Sequence, residues 1–405
     1  MTPPRLPRAF WALWACQLVN RLGGFVQPFL VLYLTQDRHL SAATAGAVAA
    51  AVGAGSVVSQ FTGGWLADRI GRRHTMLVGF LGTAAALIGL GQASSMAAIW
   101  AAAFTVGLLS DMFRPAVSAT VADLLGPDER VRAYGLLFWA INLGFSISTV
   151  SAGVLAGIGY GLLFWLNAAT SVAAAVIIWR VVPETRPEVA VTGRRALLPV
   201  AGRDGTLLLL IVVNVVYAAV YFQGYSTLPL VMAGDGLASS TYGLVIALNG
   251  VVIVLVQPFA GRLLNHRDRS AVLAVSMLLV CLGFGLGGLV HQWWGYAATV
   301  VVWTVGEIGF AMVFGAVVAD LAPTDLRGGY MGLTGTAWGF GSILGPLVGT
   351  AVLQTAGRTV LWSACAVLGC ALFAAQLALA PSLRRRAAVD GTPVDPCDET
   401  EPVAA

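Results

Sequence analysis

Long apolar stretches, separated by short polar segments, recur along the chain from Ala9 to Pro381. Each stretch is close in length to the ~20 residues that a helix needs to cross a lipid bilayer. Arginines, Pro and Gly clusters, and aromatic residues mark where one stretch ends and the next begins. The stretches cover residues 9–35, 44–66, 74–93, 96–123, 132–157, 161–182, 206–232, 240–263, 270–290, 294–321, 328–354 and 359–381. The pattern predicts an all-α membrane protein with twelve transmembrane helices, called spans 1 to 12 below.

The composition excludes a soluble protein. Hydrophobic residues make up 58% of the 405 residues, charged residues only 10%, and the mean hydropathy is +0.82. A soluble domain has about 25% charged residues. The sequence has no cysteines and histidines at metal-binding spacing, and no grouping of Ser, His and Asp at a membrane face. We therefore expect no enzymatic activity, no metal or other cofactor, and no nucleic-acid partner.

The basic residues, all 23 of which are arginines, predict the orientation of the spans. Nineteen of them lie in the N-terminal tail, in the loops after spans 2, 4, 6, 8 and 10, or in the C-terminal tail. Arg38 and Arg358 lie in the opposite set of loops, and Arg21 and Arg114 lie inside spans. Cytoplasmic loops of membrane proteins carry an excess of basic residues. We therefore expect a multi-pass protein of the cell membrane with both termini in the cytoplasm.

The second half of the chain repeats the first at an offset of 197 residues. Polar and glycine positions coincide under this offset, and not only apolar ones. Matching positions are Leu40–Leu237, Thr44–Thr241, Gly46–Gly243, Gly53–Gly250, Gln60–Gln257, Gly64–Gly261, Asp123–Asp320, Gly135–Gly332 and Gly144–Gly341. Since each half contains six spans, both halves have the same orientation, as in the parallel repeats of some secondary transporters.

The repeat also predicts the domains. We expect two six-helix bundles, residues 1–182 and 206–381, joined by a cytoplasmic linker, residues 183–205. The last residues, 382–405, combine three arginines with five acidic residues, which is typical of a disordered tail. One six-plus-six repeat needs no partner to form a cavity, so we expect a monomer.

The loop after span 2, residues 63–73, has the sequence GGWLADRIGRR. It resembles the G-x-x-x-D-R-x-G-R-R loop signature of the major facilitator superfamily. Gly64 permits close helix approach, Gly71 permits a tight turn, and Asp68 is suited to capping a helix N-terminus. The resemblance implies that Asp68 and Arg72 help to hold the cytoplasmic side of the protein closed.

The second copy of this loop is degenerate, because Asn265 replaces the Asp, but Arg269 matches Arg72. Asp123 and Asp320 end spans 4 and 10 at corresponding positions. We therefore predict two interfacial ion pairs, Arg72 with Asp123 and Arg269 with Asp320, each worth about 1 kcal/mol. The predicted cytoplasmic gate consists of Gly64, Asp68, Arg69, Gly71, Arg72, Asp123, Arg269 and Asp320.

Further motifs resemble the twelve-span drug/proton antiporter branch of the superfamily. They are Asn20–Gly24 with Pro28–Leu30, Leu108–Pro115 followed by Val121–Leu124, Gly306–Glu307, and Gly328–Leu333. One motif departs from that branch: the G-x-x-x-G-P-x-x-G pattern, usual in span 5, lies here in span 11, residues 341–349. Span 5 has Ser148 and Thr149 in its place. We interpret the span 11 pattern as a bend and a helix-packing face.

Four ionisable residues lie deep within the spans: Arg21, Asp111, Arg114 and Glu307. Each costs at least about 2.5 kcal/mol when it faces lipid, so we expect them to face the interior. They lie on spans 1, 4 and 10, and in the family spans 1, 4, 7 and 10 line the central cavity. The alternative is a charge network that only fixes helix packing.

Glu307 is the first candidate for proton coupling, because burial disfavours its charged form and no partner lies nearby on its own helix. Asp111 is the second candidate, but Arg114 lies three residues away on the same helix face and favours its ionised form. Arg21 either pairs with Asp111 or contacts an anionic group of a substrate.

Polar and aromatic residues of the same spans predict the substrate site. Aromatic side chains with few polar groups suit a moderately apolar, ring-containing molecule. The candidate substrate-binding residues are Arg21, Arg114, Gln17, Asn20, Gln27, Asn142, Asn214, Tyr217, Tyr221, Trp303 and Trp338.

These observations predict a secondary active transporter that exports small organic or drug-like molecules by alternating access, coupled to protons. One alternative is a proton symporter or uniporter that imports a small anionic metabolite, with Arg21 and Arg114 binding the anion. Another is a transporter-like sensor that transports nothing. The expected partners are a small-molecule substrate, protons and the lipid bilayer.

Overall fold

The computed structural model describes residues 6–185, 197–264, 267–323 and 326–390, and all regular structure in these ranges is helical. The all-α class predicted from the sequence is therefore confirmed. The helices of the first half are α1 (Arg8–Leu22), α2 (Val26–Leu32), a π-helical turn (Tyr33–Asp37), α3 (Ala42–Ile70), α4 (Arg72–Gln92), α5 (Met96–Ser110), α6 (Phe113–Leu124), α7 (Pro127–Ile158) and α8 (Tyr160–Val181).

The second half begins with a short helix and ends with a very long one. Its helices are α9 (Leu197–Ala201), α10 (Gly205–Tyr221), α11 (Gln223–Ser226), α12 (Leu228–Gly234), α13 (Ser239–Leu264), α14 (Arg269–Leu286), α15 (Trp293–Leu321) and α16 (Arg327–Asp390). α16 contains predicted spans 11 and 12 and is interrupted at Gly357, whose φ of 83° is left-handed. A residue without a Cβ adopts this conformation most easily.

Ten helical segments in the described ranges are long and apolar enough to cross a membrane. The last of them contains both parts of α16, and span 1 is divided between α1 and α2, so that neither piece qualifies alone. The exact number of twelve spans stays a prediction.

Three predicted spans are interrupted rather than continuous, which the sequence analysis did not predict. Span 1 breaks between α1 and α2, where the side-chain oxygen of Asn167 accepts a hydrogen bond from the backbone N–H of Val26 at 3.4 Å. Span 4 breaks at Asp111, between α5 and α6, and span 7 breaks at Phe222, between α10 and α11. Such breaks are tolerated inside a membrane where protein groups satisfy the freed backbone.

The helices of each half pack mainly on one another. The halves meet chiefly along two crossings, α3 with α16 and α7 with α13, and α2 also contacts α11 and α12. Glycines allow both. A Cβ atom on Gly46 would lie 2.6 Å from the carbonyl oxygen of Pro346, and one on Gly243 would lie 2.4 Å from that of Thr149. Since Gly46 and Gly243 correspond under the offset of 197 residues, the two crossings are related by the repeat.

The hydrogen bonds between the halves lie at one end of the molecule, called the closed end below, and the other end is called the open end. At the closed end, the backbone N–H of Ala43 donates to the side chain of Gln354 at 2.8 Å, and the hydroxyls of Tyr160 and Ser239 lie 3.2 Å apart. At the open end, which carries Arg72 and Arg269, glycines on the crossing helices face empty space. No described atom lies within 4 Å of a Cβ built on Gly64, Gly135 or Gly332.

Arg358, one of the two arginines in the loops with few basic residues, fastens the closed end of the second half. Its guanidinium donates to both oxygens of Asp235, at 2.6 and 2.9 Å, and to the backbone carbonyls of Gly287 and Val290. Partial burial opposes ionisation of Asp235, but hydrogen bonds from Tyr296, His291 and Arg358 hold the pKa of its carboxyl below the usual value. Arg358 therefore has a structural role, which accounts for an arginine in a loop on the side that carries few basic residues.

The C-terminal helix is longer than predicted. α16 continues past Pro381 to Asp390, so that the first part of the predicted disordered tail is helical. Ion pairs explain the extension: Arg384 contacts Asp268 at 2.9 Å, and Arg386 contacts Asp204 at 2.5 Å. Residues 391–405 of the tail and residues 186–196 of the linker lie outside the described ranges.

Candidate functional site

A cavity lies within the first half, at the breaks of spans 1 and 4. Including the open space at its mouth it measures about 830 Å³. Its polar lining combines five of the predicted residues with several that were not predicted: Asn20, Arg21, Gln27, Asp111, Arg114, Ser56, Thr83, Ser110 and Asn167. The structure therefore brings together the charges that the sequence places on spans 1 and 4.

Two of the three charges in this cavity neutralise each other. Arg114 Nε lies 2.6 Å from Asp111 Oδ1, although a helix break separates the two residues. Arg21 makes no ion pair and no side-chain hydrogen bond with the described residues. It lies in the last turn of α1, where the helix dipole favours a positive charge. A Cβ atom on Gly144 would lie 2.7 Å from Arg21 Cβ, so this glycine makes room for the arginine.

Glu307, on α15 in the second half, is held by neutral donors. Tyr221 donates its hydroxyl to Oε1 at 2.9 Å, and the Asn249 amide donates to Oε2 at 2.6 Å. The same amide contacts the Thr304 hydroxyl at 3.0 Å, which fixes its orientation. No basic side chain among the described residues forms an ion pair with Glu307. Two donors on one carboxyl group match its charged form, which only accepts hydrogen bonds.

Aromatic rings surround Glu307. Tyr221 packs edge-on against Trp338, with ring centroids 5.1 Å apart, and against Trp303 at 5.9 Å. Tyr217 stacks on Phe310 at 4.3 Å. Trp303 is buried and stacked on Phe284, so it supports the cluster, whereas Trp338 remains partly exposed. The predicted aromatic residues therefore lie together beside the predicted proton site.

Tyr225, which is not among the predicted residues, connects the two halves of the site. Its hydroxyl lies 3.4 Å from that of Tyr221, and its ring packs edge-on against Phe145 of α7 with centroids 6.1 Å apart. Tyr221 and Tyr225 both lie within the electrostatic field of Arg21. They therefore lie near both Arg21 of the first half and Glu307 of the second.

The other predicted polar residues lie apart from these charges. Gln17 is buried in α1, and its side-chain oxygen has no described partner. Asn142 bonds the carbonyl of Phe138 in its own helix and lines a second cavity, between α7 and α13. Asn214 donates to the backbone carbonyl of Thr334 at 3.2 Å. These contacts are structural in this conformation.

Both predicted ion pairs of the open end are formed. Arg72 Nε lies 3.3 Å from Asp123 Oδ2, and Arg269 Nη1 lies 2.5 Å from Asp320 Oδ2. Each pair lies within one half and joins the first residue of one helix to the end of a neighbouring helix. Arg69 stacks on the Trp65 ring, 5.0 Å from its centroid. The gating role of these residues stays a prediction.

Two details of the predicted loop are wrong. Gly63, and not Gly64, makes the close helix approach, because a Cβ atom on Gly63 would lie 2.6 Å from the carbonyl oxygen of Met112. Asp68 does not cap a helix N-terminus: it lies in the last turn of α3, its side chain is 81% exposed, and it contacts Arg72 at 3.3 Å. The predicted tight turn at Gly71 is present, with a φ of 99°.

Glu184, after α8, performs the capping instead. Its carboxylate accepts hydrogen bonds from the backbone N–H groups of Arg72, at 2.6 Å, and Arg73, at 3.1 Å. Partial burial opposes ionisation, but these bonds and one from His74 hold the pKa of Glu184 below its usual value. The contact joins residues 112 positions apart, which no local spacing reveals.

We expect Glu184→Gln to destabilise the first half by about 1 kcal/mol, the usual cost of a lost N-cap. Since folding lowers the pKa of Glu184, its contribution is present above the unfolded pKa of about 4.3 and is lost as the pH falls through the lower folded value. The measurement is the stability of Glu184→Gln, from unfolding in mixed micelles at pH 7 and pH 3.5. The control is Asp68→Asn, which should change stability by less than about 0.5 kcal/mol. An equal effect of both substitutions contradicts this assignment.

Sequence and structure comparisons identify the family. The profile of the Major Facilitator Superfamily matches residues 13–238 and 209–397. The chain is 26% identical over 351 residues to the uncharacterized MFS-type transporter YqjV of Bacillus subtilis, covering 82% of this chain and 83% of that protein. It is 26% identical over 288 residues to the multidrug resistance protein MdtH of Edwardsiella ictaluri, covering 70% and 71%.

The fold is similar to that of a solved transporter. A POT family transporter solved in complex with 5-aminolevulinic acid superposes with a TM-score of 0.76, covering 93% of this chain and 97% of that one at 15% identity. The resemblance found in the loop after span 2 is thus confirmed, as are the fold class and the expectation of a transporter rather than an enzyme. The chain belongs to the Major Facilitator Superfamily of membrane transporters.

Proposed function

We propose that this protein is a proton-coupled exporter of small organic molecules. The observation that carries the proposal is Glu307: its carboxyl group lies in the membrane interior, has no cationic partner among the described residues, and is surrounded by aromatic rings. An isolated buried carboxylate is costly and gains from neutralisation. A proton and a cationic group of a substrate both neutralise it, and they exclude each other.

This exclusion is the basis of exchange. While Glu307 holds a proton, its oxygens do not attract a substrate cation; once the proton has left, they do. Protonation also reverses one hydrogen bond. The Tyr221 hydroxyl can turn from donor to acceptor, whereas the Asn249 amide is held by Thr304. Once it accepts from Glu307, the Tyr221 hydroxyl is free to donate to the Tyr225 hydroxyl, 3.4 Å away.

Movement of the two halves about the glycine crossings would expose this site alternately to the two sides. In the present conformation the end with Arg72 and Arg269 is open, and the positive-inside rule assigns that end to the cytoplasm. We interpret the conformation as inward-facing, ready to take substrate from the cytoplasm. The ion pairs of Arg72 and Arg269 would then contribute to closing this end later in the cycle.

Similarity to named proteins supports the direction of transport. MdtH is named a multidrug resistance protein. A further relative, from Planococcus maritimus, is named a Na(+), Li(+), K(+)/H(+) antiporter and is 21% identical over 363 residues, covering 80% of this chain and 84% of that protein. The second function class, import of an anion with protons, rests on the unpaired Arg21. The two classes differ in how a proton gradient acts on the substrate.

The test uses purified protein in lipid vesicles with norfloxacin or ethidium outside. An exchanger accumulates substrate when the lumen is acidic, because protons leave as substrate enters, and this holds for either orientation of the protein. We expect accumulation at least about fivefold above protein-free vesicles, which correct for passive trapping, and its loss when an ionophore collapses the gradient. Accumulation only with an acidic exterior would identify a symporter instead, and transport without regard to the gradient would identify a uniporter.

A further inference from the structure

We propose that the substrate is a zwitterion, a ring-containing organic molecule with one anionic and one cationic group. The anionic group binds Arg21 in the first half, and the cationic group binds Glu307 in the second. This inference rests on the proposed function, because it names the substrate class of the same site.

Each half of the described protein contributes one charge that has no counter-ion. Arg21 lines the cavity of the first half without an ion pair, and Glu307 accepts hydrogen bonds only from the neutral side chains of Tyr221 and Asn249. The two charges do not pair with each other. Both are costly in the membrane interior unless something neutralises them. A ligand with complementary charges satisfies both at once.

The neighbouring charges leave this arrangement unchanged. Arg114 repels Arg21 and Asp111 attracts it, but these two residues contact each other at 2.6 Å and together contribute no net charge. The site therefore presents one positive charge on the first half and one negative charge on the second. A purely cationic ligand leaves Arg21 unpaired, and a purely anionic ligand leaves Glu307 unpaired.

The residues near both charges fit the body of such a ligand. Tyr221 and Tyr225 lie near Arg21 and Glu307, and Trp338 packs against Tyr221. Their rings offer apolar faces, while the cavity around Arg21 adds the amides of Asn20 and Gln27. A zwitterion also fits exchange, because its cationic group replaces the proton of Glu307 while its anionic group stays on Arg21.

The experiment measures binding by calorimetry to the purified full-length protein in detergent at pH 7.5, without a proton gradient. Norfloxacin and 4-(aminomethyl)benzoic acid are each titrated in three forms: the zwitterion, its cationic methyl ester and its anionic N-acetyl derivative. Hydrogen bonds to charged groups predict a zwitterion affinity roughly 10–100-fold above that of either derivative.

Variants assign each end of the ligand. Arg21→Gln should weaken the zwitterion roughly 10–100-fold and leave the methyl ester unchanged, while Arg21→Lys, which keeps the charge, retains the preference and controls for folding. Glu307→Gln should weaken the zwitterion and leave the N-acetyl derivative unchanged. Arg385→Gln removes an exposed arginine outside the cavity and the predicted gate and should change nothing.

Three results would overturn the proposal: an ester that binds as tightly as its zwitterion, an Arg21→Gln variant that binds every form equally poorly, or no binding by any form of either scaffold. A negative result in the vesicle assay can be told apart from a failure of this proposal. If the zwitterion preference holds but an acidic lumen drives no accumulation, the proposed exchange is wrong and the substrate class stands. If accumulation occurs but the zwitterion is not preferred, the proposed exchange stands and the substrate class is wrong.

Discussion

Vesicles containing Glu307→Gln should show no accumulation driven by an acidic lumen above the protein-free level, while exchange of labelled for unlabelled substrate continues. Gln keeps the size of the side chain but cannot release a proton, so a gradient has nothing to act on. Tyr221 and Asn249 both donate to the carboxylate. The amide offers one acceptor oxygen, and the Tyr221 hydroxyl can turn to accept from its NH₂ group. Local packing should therefore survive the substitution.

Two further variants make this result specific. Glu307→Asp keeps a titratable carboxyl group on a shorter side chain and should retain gradient-driven accumulation at a reduced rate. Asp111→Asn leaves Arg114 without its partner at 2.6 Å and should slow transport, but should retain the dependence on the gradient. A pH-sensitive dye in the lumen measures proton efflux in the same vesicles. If Glu307→Gln still moves protons with substrate and Asp111→Asn does not, Asp111 is the coupling residue.

The sequence predicts the all-α fold because its causes are local and cumulative. Apolar stretches of bilayer length each predict a helix, and the offset of 197 residues relates the halves without knowledge of a single contact. The apolar pattern and the repeat do not predict the breaks in spans 1, 4 and 7. Membrane helices often contain glycine, so residues 23–24 alone do not predict a break. Asn167, which supports the break from α8, is distant in sequence.

The candidate site, like the fold, is predictable from the sequence only in part. Arg21, Asp111, Arg114 and Glu307 are predictable because a charge inside an apolar stretch is costly and needs a reason. The residues that contact these four charges are harder to predict. Asn249 is not predictable as a partner of Glu307 because it lies on span 8, outside the spans that line the cavity in the family. Its only sign is a single amide within the apolar run 244–256.

The glycine at position 243 should control which end of the protein is open. In this structure a Cβ atom there would lie 2.4 Å from the backbone oxygen of Thr149, which cannot move as a flexible side chain does. We expect Gly243→Val to disfavour the closed crossing of α7 with α13 by roughly 1–3 kcal/mol, and so to shift the population roughly 5–150-fold toward the opposite conformation.

The measurement that separates this effect from simple destabilisation is the distance between spin labels at both ends. In a cysteine-free background, labels at Ser41 and Thr355 report the closed end, and labels at Ile70 and Met331 report the open end. A change of conformation lengthens the first distance and shortens the second, whereas partial unfolding broadens both. Gly157→Val is the matched control, since it adds the same side chain on α7, where a Cβ atom meets no described atom within 4 Å. If Gly243→Val leaves both distances unchanged, the crossing yields without moving the halves, and the glycines serve packing alone.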